Sequence, residues 1–273
     1  MGRTFAVLLF AVTVGGCAAA DAMTTTPTSK PAPVAVETND VGLNPGESMA
    51  FEVRVGGVLA GDAAMAVGEI GEFEGHRAVV VKSRAATAGA AALLKHVVDE
   101  ATTVIDIENG RPLQLETLVE MGDKRTTATA RFSGPIADVV YTRNDDPEPH
   151  KYKLNFGTNT VHDTHSAMAQ IRGWRGKIGD TRSVFVVGGR RLWRVDVKYL
   201  GDETIGTAVG NRRCVKFEGS SFRARADFKV ESDAPARTFT VWLSDDGDRV
   251  PVKVVAHTEL GDLTVDLTEY NRP

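Results

Sequence analysis

Two histidines three residues apart, in His162-Asp163-Thr164-His165, are the residues whose types and spacing come nearest to a metal site. On a helix they share a face, but zinc usually takes three or four protein ligands at defined spacing. His76, His96, His150 and His257 are scattered singly, and no second His or Cys cluster supplies the rest. The segment therefore reads as a solvated helix start, with no metal and no cofactor. The acidic turn Asp245-Asp246-Gly247-Asp248 resembles part of a calcium loop but runs directly into Arg249 and Pro251, without the glutamate of an EF-hand. It reads as a hairpin turn whose aspartates satisfy backbone donors, with Arg249 as the nearest candidate partner. Serine chemistry has no Gly-x-Ser-x-Gly elbow and no helical Ser-x-x-Lys behind it. Cys214 alternates with charged neighbours in Arg212-Arg213-Cys214-Val215-Lys216-Phe217. It has no nearby histidine or elbow, so it reads as a buried, inert strand thiol. No catalytic constellation emerges.

A basic run is the remaining charged feature. Arg172, Arg175, Lys177, Arg182, Arg190, Arg191 and Arg194 are opposed only by Asp180. A solvated surface is the first reading, because strand alternation can send neighbouring arginines to opposite faces. The alternative is a patch of Arg172, Arg175, Arg182, Arg190 and Arg191 that steers an anionic partner, a lipid head group or an acidic glycan. The whole chain carries a net charge of −4, or −5 once Arg3 is removed with a leader, and so lacks the basic excess of a nucleic-acid binder.

The amino terminus has the three-part layout of an export signal: Arg3, an apolar run from Phe5 to Val14, then Gly15-Gly16-Cys17. The run is well short of the roughly 20 residues that span a bilayer. The arrangement resembles a bacterial lipoprotein signal, which implies cleavage after residue 16 and lipidation of Cys17. Two or more acyl chains hold a protein stably on a membrane. Ala18 follows the cysteine where, by resemblance to enterobacterial lipoproteins, an aspartate favours inner-membrane retention; the outer membrane, facing the periplasm, is the expectation. Residues 17–44 are rich in Thr, Pro, Ala and Ser. They form an expected disordered tether with a root-mean-square span of about 30 Å.

Residues 45–273 read as one mostly-β domain. Period-two alternation dominates, most clearly where Trp193, Val195, Val197 and Tyr199 share one face and Arg194, Asp196 and Lys198 the other. Half-buried strands of this kind argue for an antiparallel sheet. Gly56-Gly57, Asn109-Gly110, Gly188-Gly189 and Gly261-Asp262 supply turn residues between them. Two stretches look helical. One is Ala85 to Val98, with Leu93, Leu94, Val97 and Val98 as an apolar stripe; the other is Asp163 to Arg172, with Asp163 as N-cap and Met168 and Ile171 facing inward. The expected architecture is one large curved antiparallel sheet, a half-barrel or open barrel, covered by one or two helices.

Three segments carry a resemblance to a family. They are Gly57-Val58-Leu59-Ala60-Gly61-Asp62; Asp163-Thr164-His165-Ser166 with Ile171-Arg172 and Gly179-Asp180; and Val241-Trp242-Leu243-Ser244-Asp245-Asp246-Gly247-Asp248-Arg249-Val250-Pro251-Val252-Lys253 with Gly261. Together they are similar to the domain-of-unknown-function 3108 (DUF3108) family of bacterial envelope proteins, over roughly Pro45 to Tyr270. The resemblance implies an exported, mostly-β domain with no established activity. The chain departs from the family's aromatic-rich middle helix, having His165, Ala167 and Met168 there. A more distant similarity is to the LolA and LolB half-barrels, which hold acyl chains between a curved sheet and lid helices.

The expected function is that of a non-enzymatic envelope lipoprotein that takes an apolar or amphipathic ligand, or an envelope-assembly partner, with Leu93, Leu94, Val97, Val98, Trp193 and Trp242 as candidate contacts. An interaction protein without a ligand cavity is the alternative, and an enzyme acting on envelope polymers a third reading. Whether sheet and helices enclose an apolar cavity of at least about 300 Å³, the low end for ligand sites, separates the first two. Labelling cells with a palmitate analogue is expected to mark the wild-type protein and to leave Cys17→Ala unmarked; label that survives the substitution contradicts lipidation at Cys17.

Overall fold

The computed structural model describes residues 41–207, 210–233, 235–258 and 261–272. The strands are β1 (Ser48–Val55), β2 (Val58–Val67), β3 (Gly71–Phe73), β4 (His76–Thr87), β5 (Val97–Asp106), β6 (Pro112–Met121), β7 (Lys124–Ser133), β8 (Ile136–Arg143), β9 (Asp146–Asn155), β10 (Val161–Asp163), β11 (Thr181–Gly188), β12 (Arg191–Thr207), β13 (Gly210–Ala224), β14 (Arg237–Ser244), β15 (Pro251–Thr258) and β16 (Gly261–Asn271). Two helices, α1 (Gly89–Leu94) and α2 (Thr164–Gly173), complete the described elements.

All sixteen strands belong to one sheet, with β3 attached to β4 as a side branch. Its order is β10-β11-β12-β13-β14-β15-β16-β1-β2-β4-β5-β6-β7-β8-β9, a meander whose first and last strands, β1 and β16, pair antiparallel. The pairings are antiparallel except that of β10 with β11. The edges β10 and β9 do not pair, so the sheet curls as an open barrel. The half-buried alternation seen in the sequence is what such a sheet requires.

Two cores result. The first gathers Phe51 and Val53 of β1, Phe217 of β13, Val241 and Leu243 of β14, and Val265 of β16 around Trp174, just beyond α2. The second packs Leu115, Val139, Leu154 and Val161 against Val187 and Leu192. Trp193, Val197, Phe239, Val241, Leu243, Val252 and Val254 are buried as the alternation predicts, and Val195 is half-buried. Gly219 is fixed by this packing: a Cβ there would lie 2.2 Å from Cζ of Phe239.

Residues ahead of β1 are part of the packing. Val41 and Leu43, within the stretch read as tether, lie against the first core. Gly42, at φ 67°, passes so close to α2 that a Cβ would stand 2.0 Å from the Ala169 carbonyl oxygen. The expected export signal and Cys17 lie outside the described residues.

The helix expected from Ala85 to Val98 does not exist as one element. Ala85 to Thr87 continue β4, Val97 and Val98 already belong to β5, and only Gly89–Leu94 is helical. The reason is pairing: Ala85 faces Asp99 and Ala86 faces Val98 across the β4–β5 ladder. A tertiary ladder overrides alanine's helix preference, worth under about 1 kcal/mol per residue. The second helix begins at Asp163 as expected and has Met168 and Ile171 against the core.

Candidate functional site: an inner helix and two apolar clefts

Helix α2 lies inside the open barrel and is fixed at both ends by buried polar groups. At its start, Asp163 is fully buried, and its carboxylate accepts from the backbone N–H groups of His165 and Ser166, each at 3.0 Å. Ser166 Oγ donates to it at 2.6 Å and Thr103 Oγ1 of β5 at 2.5 Å. With its own proton committed, Thr103 Oγ1 accepts from His165 Nδ1 at 2.7 Å, leaving His165 Nε2 to accept from Ser83 Oγ of β4 at 2.8 Å. By the same logic Ser166 Oγ accepts from His162 Nδ1 at 3.1 Å. Burial pushes both imidazoles below their ordinary range, His162 to about 4. The segment is thus not the solvated helix start read from the sequence: both rings are sealed, His165 at 1% exposure. They act as neutral hydrogen-bonding links between helix and sheet. Ser83, His165 and Asp163 have the residue types of a hydrolytic relay, but Thr103 stands between imidazole and carboxylate and the imidazole has no open face.

At the other end, Arg172 is a correction to the basic patch, for its side chain is at 0% exposure. Its Nη1 and Nη2 form a fork on Glu47 at 2.5 and 2.8 Å. Nε donates to the Arg249 carbonyl at 3.1 Å, and Nη2 also to that of Asp248 at 2.8 Å. Tyr270 and Asn44 donate to Glu47 as well. In the acidic turn, Asp246 accepts from Ser244 Oγ and from the backbone of Asp248 and Arg249, the hairpin role expected of it. Among the described residues no group of three or more His, Cys, Asp or Glu could hold a metal ion.

Two apolar clefts open elsewhere on the sheet, only the second of them bordering α2. One, of about 240 Å³, lies beside α1, between Ala90, Ala91 and Leu94 of the helix and Val53, Val55 and Leu263 of the sheet. Its surroundings are apolar and exposed: Val58 71%, Leu59 51%, Leu93 90% and Leu94 90%. The other, of about 130 Å³, runs between α2 and the sheet, bounded by Met168, Ile171, Val186, Trp193, Phe239 and Val241. A wider hollow of about 600 Å³ over β1, β2, β4 and β5 is lined in part by Lys82, Arg84, Glu100 and Glu269.

The candidate ligand residues therefore do not form one site. Leu94 and Val97 line the cleft beside α1, with the exposed Leu93 next to Leu94; Val98 is buried. Trp193 lines the cleft under α2. Trp242 is in neither: its Nε1 donates to Glu203 at 3.0 Å and the Lys216 ammonium sits 5.1 Å over its ring. Nor do the arginines form one patch. Arg175 donates to the Arg172 carbonyl, Arg182 stacks 4.5 Å over Trp174, and Arg190 lies 5.9 Å over Tyr141. Arg191 lies near Arg190 and near an arginine that local sequence did not bring forward, Arg223, which in turn lies near Arg237. Burial pushes the Cys214 thiol up to about 11, in keeping with an inert thiol.

The sequence pattern of the protein family of unknown function DUF3108 matches residues 50–268. The chain belongs to the DUF3108 family. Among solved structures, a β-barrel-like protein of domain of unknown function DUF1849 from Brucella abortus is similar with a TM-score of 0.51 at 8% identity, covering 83% of this chain and 97% of that one. The hypothetical lipoprotein YmcC of Escherichia coli aligns with a TM-score of 0.31 at 11% identity, over 85% of this chain and 88% of that one. These likenesses do not show the similarity to the LolA and LolB half-barrels. The first likeness supports a barrel-like fold for this DUF3108 chain; no curated protein matches it in sequence.

The neutral histidines set a pH dependence. Because His162 binds its proton more weakly folded than unfolded, its contribution is fully present above about 6.5 and is lost as pH falls toward about 4. Urea unfolding at successive pH values is expected to show a loss over that window on the order of 3 kcal/mol, reduced in His162→Gln. An unchanged profile in the variant would show that His162 does not titrate in this way.

Proposed function

We propose that the protein is an exported, lipid-anchored and non-enzymatic component of the bacterial cell envelope, facing the periplasm from the outer membrane, that takes the end of an acyl chain into the cleft beside α1. The anchor rests on the Gly15-Gly16-Cys17 signal and the envelope assignment on the family resemblance. The observation that carries the ligand reading is the coincidence of an apolar cleft of about 240 Å³ with four exposed hydrophobic side chains beside it. A soluble protein gains nothing by exposing Leu93 and Leu94, and contiguous exposed apolar surface marks interaction sites. The volume is below the roughly 300 Å³ of whole-ligand pockets, so the cleft suits a chain end inserted from a surface and not a fully enclosed lipid. That modest volume, with two well-filled cores, also favours the alternative of an interaction lipoprotein without a ligand.

Uptake of a fluorescent fatty-acid probe by Cys17→Ala protein distinguishes the two. Removing a leucine contact worth about 1.5–3 kcal/mol is expected to weaken uptake roughly tenfold or more in Leu94→Asp. Leu94 is 90% exposed, so stability is expected to change little. No uptake by the parent protein, or equal uptake by the variant, leaves the interaction reading.

A further inference from the structure

A second cluster lies at the end of the cleft under α2 and is independent of the α1 reading. Residues directly opposed across antiparallel strands point to the same face. Trp193 of β12 opposes Arg223 of β13, Ser221 of β13 opposes Arg237 of β14, and Gly188 of β11 opposes Arg191 of β12. Trp193, Ser221 and Gly188 all line the cleft, so Arg191, Arg223 and Arg237 project from the same face at its end. The Arg237 guanidinium sits 5.1 Å over the Trp193 ring. Arg223 Nε holds Glu231 at 2.9 Å, and that carboxylate also acts on Arg191.

The cluster is unusual in what it leaves unbonded. Nε of Arg191, Nη1 of Arg237 and Nε1 of Trp193 are buried and have no hydrogen-bond partner, and Trp193 is only 5% exposed. Buried polar groups in folded proteins are nearly always paired, and an unpaired buried donor is costly. Three such donors in neighbouring residues, all N–H groups, call for one acceptor. Desolvation and mutual repulsion push Arg191 down to about 10 and lower Arg237, a cost that an anion relieves.

We propose that Arg191, Arg223, Arg237 and the Trp193 indole form an anion site that binds a phosphate group, with the cleft under α2 accepting an apolar substituent of the same molecule. The guanidinium fork matches phosphate geometry and the indole adds a single donor. The apolar walls of Val186, Phe239 and Val241 continue from the site beneath α2, so a phosphate-headed amphiphile fits better than phosphate alone.

The Trp193 indole N–H resonance, assigned with Trp193→Phe, reports on the site directly. It is titrated with inorganic phosphate, octyl phosphate and, as an uncharged control, octyl glucoside. Octyl phosphate is expected to shift it at about tenfold lower concentration than inorganic phosphate, a difference of about 1.4 kcal/mol. Equal affinities would support the anion site with free phosphate as its source. Arg191→Gln/Arg237→Gln is expected to abolish both responses, Glu231→Gln to strengthen them by removing the competing carboxylate, and salt to weaken them. Leu94→Asp is expected to leave them unchanged, which separates this site from the cleft beside α1. No shift with either phosphate, a shift that persists in the double arginine variant, or an equal shift with octyl glucoside overturns the proposal. Should the double variant fail to fold, the Glu231→Gln gain and the salt dependence decide: absence of both overturns it.

Discussion

The fork between Arg172 and Glu47 is the constraint on which the rest of the molecule depends. A guanidinium withdrawn wholly from water costs several kcal/mol unless every lone pair and proton around it is engaged. Here the engagement is close to complete: two bonds to Glu47 and one each to the carbonyls of Asp248 and Arg249. Satisfying this one side chain requires the segment before β1, the end of α2, the β14–β15 turn and, through Tyr270, the last strand to meet at one place. The meander brings β1 and β16 together, and the buried pair then ties the helix to that closure. A break in the pair would leave a buried charge with nothing to answer it, the situation in which such pairs cost most.

From that anchor and the Asp163 network at its other end, α2 acts as a strut. It cannot serve as a lid, because opening it would expose a carboxylate holding four donors and a guanidinium holding two carbonyls and a carboxylate. A ligand of the cleft between α2 and the sheet must therefore enter along the flank of the helix. Helix α1 is the opposite case. It has six residues, buries none of them, has no side-chain cap, and presents Leu93 and Leu94 outward. Surface contact belongs to α1, and fixed geometry to α2.

Much of this was legible in the sequence, and the parts that were not share a cause. The strands were readable because half-buried antiparallel sheets write period-two alternation into the chain, as from Trp193 to Tyr199. The start of α2 was readable because an N-cap is a local device and Asp163 is an unmistakable one. The run from Ala85 to Val98 misled, since alanine and leucine favour helix locally while the ladder pairing Ala86 with Val98 is a property of the hairpin. Arg172 was read as surface because its partner Glu47 is 125 residues away. The solvated reading of His165 failed similarly, because Thr103 and Ser83 reach it from distant strands, and that of His162 failed because β10 pairs with β11. The anion cluster depends wholly on register: Arg223 and Arg237 join Arg191 only through the pairing of β12, β13 and β14.

The central claim, that buried polar groups lock α2 inside the sheet, is tested most directly by native-state hydrogen exchange at the α2 amides. If the helix is a fixed strut, Met168 to Arg172 exchange only through global unfolding, with opening free energies equal to that of the whole domain and above those of α1. Exchange of the α2 amides through a low-energy local opening, comparable to that of Ala91 to Leu94, would contradict the account.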